Sequence, residues 1–207
     1  MEKGETVILD NGAYEGVQTA PFKLNQWVRE LRPAVVVLPD APGRLAQTLF
    51  KAEDYLSRFG LPTGTEGMTV LHAPDGKLEQ FIMAYTLVQT KWVGFSRLTK
   101  AYSDTMKWPY HRCTFAVHLR ACNYWRPELE HHALGMLNGN LHELRSLNQL
   151  GFHSCDSSAP IWRGLHGYEV NDSDWPNYEL TPLVAPEVSN WEMADRNLKT
   201  VIEACHG

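Results

Sequence analysis

The 207-residue chain holds only four cysteines, Cys113, Cys122, Cys155 and Cys205, and none stands at a CxxC or zinc-ribbon spacing from another. Neither a disulfide framework nor a structural zinc site is suggested, so reduced thiols and no bound metal are expected. No apolar run approaches the roughly 20 residues that a membrane-spanning helix needs. The opening MEKGETV lacks the basic-then-apolar pattern of a secretory signal, and a soluble, cytoplasmic protein with no membrane partner is the expectation. No GxGxxG and no Walker loop follows any apolar run, which removes the usual signatures of a doubly wound nucleotide-binding sheet. Nothing calls for a cofactor. The net charge of -5 argues against a protein that coats nucleic acid over its whole surface.

The charge is unevenly placed, however. Between Lys91 and Arg126 the chain carries Lys91, Arg97, Lys100, Lys107, Arg112, Arg120 and Arg126 against one acid, Asp104. The same window holds Trp92, Phe95, Tyr102, Trp108, Tyr110, Phe115, Tyr124 and Trp125. Cations interleaved with flat rings suit a single-stranded or flipped-out nucleotide, because phosphates attract cations and bases stack on rings. The alternative is a solvated basic face over an aromatic core. Glu169 to Asp195, by contrast, carries acids and no Lys or Arg, and nucleic acid would avoid it.

Short apolar runs alternate with helical patterns along one domain. Strands are expected at Val7 to Leu9, Ala34 to Leu38, Met68 to Leu71, Trp92 to Phe95, His132 to Met136 and Phe152 to Cys155. Helices are expected at Pro21 to Leu31, from Leu45 to a stop at Gly60, from about Leu78 to Gln89, and over Arg112 to Ala121. A further helix carries Leu141, Leu144, Leu147 and Leu150, and a last one is capped by Asn190; residues 168–188 read as a surface loop. Such alternation implies parallel strands, since each parallel connection needs a crossover helix. The expected fold is α/β, a (β/α) TIM-like barrel that is reduced or irregular, with about six recognisable units where a full barrel has eight. On that fold function lies at strand C-terminal ends, where Asp10, Asp40, His72, Arg97 and Asp156 all fall.

Two of these carry the chemistry. Phe152 to Cys155 delivers Asp156, and Pro160 and Gly167 are expected to turn the chain away. Val7-Ile8-Leu9 likewise ends in Asp10, followed by Asn11-Gly12. Strand-end aspartates from opposite ends of a chain converge in a parallel α/β fold. The blander readings are that Asp10-Asn11-Gly12 is a turn, that Asp40 caps the helix beginning at Leu45, and that His131-His132 is a surface pair.

Taken together, the strand ends resemble the tRNA-guanine transglycosylase superfamily, which includes the queuine and archaeosine tRNA-ribosyltransferases and the phage enzymes that insert 7-deazaguanines into DNA. LDNGAYE at Leu9 to Glu15 is similar to the family's DSGGFQ base-binding motif, and HSCDSSAPIWRGLHG is similar to its nucleophile motif DMFDCVMPTRNARNG, matching at Asp156, Pro160 and Gly167. Val37-Leu38-Pro39-Asp40 stands where the family's strand ends in a base-reading acid. Val93-Gly94-Phe95-Ser96 looks like its IGGLS strand, and Ala133-Leu134-Gly135-Met136 like its LMGVG strand. Order and spacing agree over about residues 6–167. Three departures stand out: the zinc-binding cysteine cluster is absent, Phe95 replaces a glycine of the base pocket, and Trp162 stands where an arginine is usual.

The resemblance implies a pentosyltransferase in which Asp156 attacks C1′ of a nucleotide and Asp10 moves protons to the departing purine and from the arriving one. Asn11, Tyr14, Asp40, His72, Gly94, Phe95 and Met136 would surround a guanine or 7-deazaguanine-type base, with Asp40 and Asn11 accepting from its N1–H and N2 amine. Tyr14 or Phe95 would stack on it. Arg97, Lys100, Arg112 and Arg163 would hold the phosphates of DNA or tRNA. Homodimerisation is left open. Two other classes fit the same residues: a nucleosidase that uses water in place of an incoming base, and a non-catalytic nucleic-acid-binding partner.

Overall fold

The structure, a computed structural model, describes residues 6–13, 18–73, 77–96, 111–135, 141–157, 159–170 and 190–206. Six parallel strands form one sheet in sequential order: β1 (Ile8–Leu9), β2 (Val35–Val37), β3 (Glu66–Leu71), β4 (Trp92–Ser96), β5 (Glu130–Leu134) and β6 (Ser154–Cys155). Sequential order has a consequence. A doubly wound sheet reverses its winding at a switch point, whereas successive right-handed crossovers in one direction put every connecting helix on the same face. The sheet curls around its other face into a half-barrel. The expected α/β class and the barrel-like winding are therefore both present, and among the described residues no strand joins β1 to β6.

Seven helices accompany the described strands: α1 (Pro21–Leu31), α2 (Leu45–Phe59), α3 (Leu78–Thr86), α4 (His111–Ala121), α5 (Leu141–Gln149), α6 (Ala159–Leu165) and α7 (Trp191–His206). Local chemistry fixes several ends. Pro21 opens α1, where a missing N–H costs nothing. Gly60 closes α2 at φ 60° and ψ -176°, a conformation only glycine adopts readily. Asn190 caps α7 by accepting the Met193 N–H at 3.0 Å.

Alternation along the strands builds two cores. On the helix side, Leu24, Val28, Val36, Leu38, Ala52 and Tyr55 form one cluster, while Phe81, Tyr85, Phe95, Phe115 and Phe152 centre a larger one. On the concave side, Val35, Val37, Met68 and Val70 pack with Ile8, Trp92 and Leu134. Gly94 faces this inner layer, where a Cβ would run into Leu134 and press on Val70 and Met68. Both faces of the central strands are thus buried, which is why they read as unbroken apolar runs.

Several expectations need correction. Pro160 does not turn the chain away. It lies in the first turn of α6, a position that tolerates proline, and the chain turns only at Gly167, whose φ is 81°. The helical spacing of Phe22, Trp27, Val28 and Leu31 predicts one inward face on α1, but Leu24 and Val28 are the buried residues, while Phe22 and Leu31 are exposed. On α7 the apolar spacing predicts packing by Trp191, Ala194, Leu198, Val201 and Ile202, but the packed face is Ala194, Asn197, Val201 and Ala204, and Trp191, Leu198 and Ile202 face outward. Asn197 explains the register: it accepts the Val170 N–H at 2.8 Å and donates to Pro160 O at 3.1 Å and Tyr168 O at 2.9 Å. Gly164 lets α6 and α7 touch, because a Cβ there would collide with the Ala194 backbone. The loop expected at residues 168–188 lies almost wholly outside the described residues.

The pair His131-His132 is not a surface feature. Alternation sends the two rings to opposite faces of β5, and both are buried, at 0% and 3% exposure. His131 stacks on Trp125 with centroids 3.9 Å apart and shares a hydrogen bond with Tyr85 Oη at 2.8 Å. Burial, helped by the charges of His153 and Arg120, pushes its pKa down to about 3. The folded chain therefore refuses a proton that the unfolded chain takes up below about pH 6.5, and stability should fall there by up to about 1.4 kcal/mol per pH unit. Urea denaturation at pH 7, 6 and 5 should show a steeper decline for the wild type than for His131→Phe. Equal declines would mean that His131 does not carry the effect.

Candidate functional site

Parallel pairing puts all strand C-termini at one rim, and the residues following them gather there in two groups. The first joins β1, β2 and β3. Asn11 is 1% exposed, donates its Nδ2 to Leu38 O at 2.7 Å and to Asp40 Oδ1 at 3.2 Å, and accepts the Ala13 N–H at 2.8 Å. Gln18 Nε2 donates to Asp40 Oδ1 at 3.2 Å and to Asp40 O at 3.0 Å. Lys51, reaching over from α2, donates to Asp40 O at 2.7 Å and to Gln18 Oε1 at 3.0 Å. The other carboxylate oxygen of Asp40 meets His72 Nε2 at 2.6 Å, and both side chains are buried. His72 Nδ1 is buried with no hydrogen-bond partner.

This node changes the roles expected of its members. Asp40 does not cap α2, whose N-cap is Arg44; the loop is held instead by Thr48, which bonds Ala41 N at 3.0 Å and Ala41 O at 3.2 Å. Asp40 spends both carboxylate oxygens inside the protein, and Asn11 spends both ends of its amide. As direct readers of a purine edge they are already occupied, so their placement fits organising the rim and aligning His72.

The second group joins β5 and β6. Asp156, beyond Cys155, accepts from Gly135 N–H at 2.9 Å and from His132 Nε2 at 3.1 Å, both on Oδ1. Its side chain is 60% exposed, and no hydrogen bond to Oδ2 is found among the described residues. Partial burial works to raise its pKa, but the His132 and Gly135 hydrogen bonds outweigh that and hold it below the usual carboxylate value. Asp156 is thus ionised at neutral pH, with one oxygen anchored and one presented. Asp10 is exposed too, and its Oδ1 accepts the Asn11 N–H at 2.7 Å. A flat sheet would hold the first and sixth strands about 24 Å apart, and a sheet curled into a half-barrel holds its outer strands nearer than that.

The remaining expected contacts divide. Arg112 is no surface clamp: it is 2% exposed and ion-paired to Glu143 at 2.7 Å, with Nη1 donating to Leu134 O at 2.7 Å and Phe95 O at 3.4 Å. Burial raises the Glu143 pKa to about 6 despite the Arg112 charge. Phe95 cannot stack on a ligand, because its ring lies on the helix side among Phe81, Tyr85 and Phe152. Arg163 lies half-buried on α6. Tyr14, Arg97, Lys100 and Met136 lie outside the described residues. Of the basic window, Arg120 is spent on Leu150 O, Arg126 on Val88 O and Glu128, and Lys91 on Glu128 O. These three lie at the strands' N-terminal side, away from the rim.

Sequence reasoning missed His132, Ser154, Gln18, Lys51 and Glu143. Only His132 left a signal, since adjacent histidines on a strand must face opposite sides and one of them therefore faces the same side as Ser154 and the Asp156 rim. Among the described residues, no group of three or more His, Cys, Asp or Glu side chains could hold a metal ion, and no helix is long and apolar enough to cross a membrane. All four cysteines are free thiols. No protein-family model matches the chain, and no curated protein matches it.

Proposed function

We propose that the protein is a pentosyltransferase that exchanges guanine for a 7-deazaguanine-type base in DNA or tRNA through an ester between Asp156 and the sugar. The observation that carries the chemistry is the Asp156 carboxylate, ionised, anchored through Oδ1 and open at Oδ2. The resemblance of the strand-end motifs supplies the substrate class. Asp156 Oδ2 attacks C1′, the C1′–N9 bond breaks, and its electron pair leaves with the guanine, which takes a proton from Asp10. The incoming base gives its N9 proton to Asp10, bonds C1′ and displaces the ester, restoring both carboxyl groups. An anionic neighbour suits this path because the sugar passes through an oxocarbenium-like state.

Incubation with labelled guanine and either DNA or tRNA should incorporate label into one of the two polymers. Release of free base with no incorporation would identify a hydrolase on the same scaffold. No change in either polymer would leave a binding protein.

A further inference from the structure

We infer that His132 is a positioning residue for Asp156, set in its working tautomer by Ser154. The inference rests on the reading of Asp156 as the nucleophile. In the sheet, His132 lies opposite Gly94 on one side and Ser154 on the other. Gly94 brings no side chain to the concave face, and the imidazole occupies that row with both nitrogens engaged: Nδ1 lies 2.7 Å from Ser154 Oγ and Nε2 lies 3.1 Å from Asp156 Oδ1.

Hydrogen-bond chemistry fixes the direction of this chain. Asp156 Oδ1 already accepts the Gly135 N–H, and an ionised carboxylate can only accept, so the nitrogen facing it must carry a proton. In the neutral ring Nδ1 is then the acceptor, and the Ser154 hydroxyl donates to it. With the hydroxyl in place the ring is held as the Nε2–H tautomer; without it the other tautomer would turn a lone pair toward the carboxylate. At 3% exposure the ring does not reach a substrate, so it acts only through Asp156. Among the described residues, charged groups nearby include Arg112 on α4, which bonds Leu134 O of the same strand, and Glu143 on α5, which pairs with Arg112. By fixing Oδ1, His132 leaves Oδ2 as the attacking oxygen and keeps the carboxylate ionised.

The test uses the whole chain and three variants. His132→Phe keeps a flat ring, somewhat larger than imidazole, and removes both hydrogen bonds; His132→Gln restores a donor; Ser154→Ala removes only the group that sets the tautomer. The first readout, which needs no activity, is the carboxyl titration of Asp156 followed by carbon-13 resonance. Its midpoint should rise in His132→Phe, and less in His132→Gln. The second is ester formation, expected to slow by about 10- to 100-fold in His132→Phe with KM unchanged, the scale of losing a hydrogen bond to a charged group. His132→Gln should recover most of that. In Ser154→Ala the imidazole nitrogen-15 shifts should show loss of the single tautomer. If His132→Phe does not fold, the Ser154→Ala shifts and the His132→Gln titration decide. An Asp156 midpoint that does not move, with an unchanged His132 tautomer in Ser154→Ala, overturns the inference even where base exchange is confirmed. A midpoint that moves in a protein that neither exchanges nor releases a base upholds the coupling and overturns the reading of Asp156 as nucleophile.

Discussion

Asp156→Asn is expected to eliminate ester formation and to lower base exchange by about four to six orders of magnitude, the scale on which loss of a nucleophile is felt. The geometry makes this a clean substitution. An asparagine oxygen still accepts from the Gly135 N–H and His132 Nε2, and its new amide takes the place of Oδ2. Exchanging a charged acceptor for a neutral one should cost only about 1 kcal/mol of stability, so the variant remains folded. Asp10→Asn should behave differently. Losing a proton carrier slows turnover by about two to four orders of magnitude, yet leaves the attacking oxygen intact, so some ester should still form. A folded Asp156→Asn protein with full exchange activity would make Asp156 a structural acceptor for Gly135 and His132 and nothing more.

Arg112→Met should be among the most destabilising single changes in the chain. It takes the Arg112 cation away from the Glu143 carboxylate, 1% exposed, and it strips a donor from Leu134 O at the end of β5. Breaking a buried pair by removing one partner costs about 3–5 kcal/mol, much of it the penalty of the charge left behind. The sign of the pH dependence follows. Burial already raises the Glu143 pKa against the Arg112 charge, and losing that charge raises it further, so the deficit is largest at high pH and shrinks as Glu143 takes up a proton. Urea denaturation should therefore show the gap to wild type narrowing between pH 8 and pH 5. Replacing both partners, as Arg112→Met with Glu143→Leu, should recover much of the loss, because two apolar side chains need no partner. A loss under about 1 kcal/mol at pH 8 would mean that the pair contributes little to the native state.

The pair also shows where sequence reading stops. Arg112 sits in a basic, aromatic window that reads as a nucleic-acid surface, yet its partner lies 31 residues away in a different helix. Nothing local marks which arginine turns inward. The same limit hides the Asn11–Asp40 and His132–Asp156 contacts, separated by 29 and 24 residues. What was legible obeys local rules. Val35–Val37 reads as a strand because both its faces are buried. Leu45–Phe59 reads as a helix because its apolar spacing is helical and Gly60 stops it. The rim positions of Asp10, Asp40, His72 and Asp156 follow from parallel pairing alone. Alternation could have separated His131 from His132, but the strand was expected to begin at His132, two residues after its true start at Glu130. α6 escaped because proline reads as a breaker unless the helix start is already known.

The two groups at the rim divide the labour. Buried Asn11, Asp40 and His72, joined by exposed Gln18 and half-buried Lys51, tie the first three strands and α2 into one polar node, a cooperative arrangement that holds a shape. Asp156 and Asp10 remain accessible. Buried organisers beneath exposed carboxylates are what a site needs if the carboxylates, and not their supports, meet the substrate.

The most direct test is to find where the sugar becomes attached. Wild-type protein incubated with guanine-containing oligonucleotide, denatured in acid, digested with nuclease and mapped by peptide mass should carry a pentosyl group on the peptide containing Asp156. That adduct should be absent in Asp156→Asn and should persist in Asp10→Asn. Base exchange with no adduct, or an adduct on any residue other than Asp156, would contradict the mechanism.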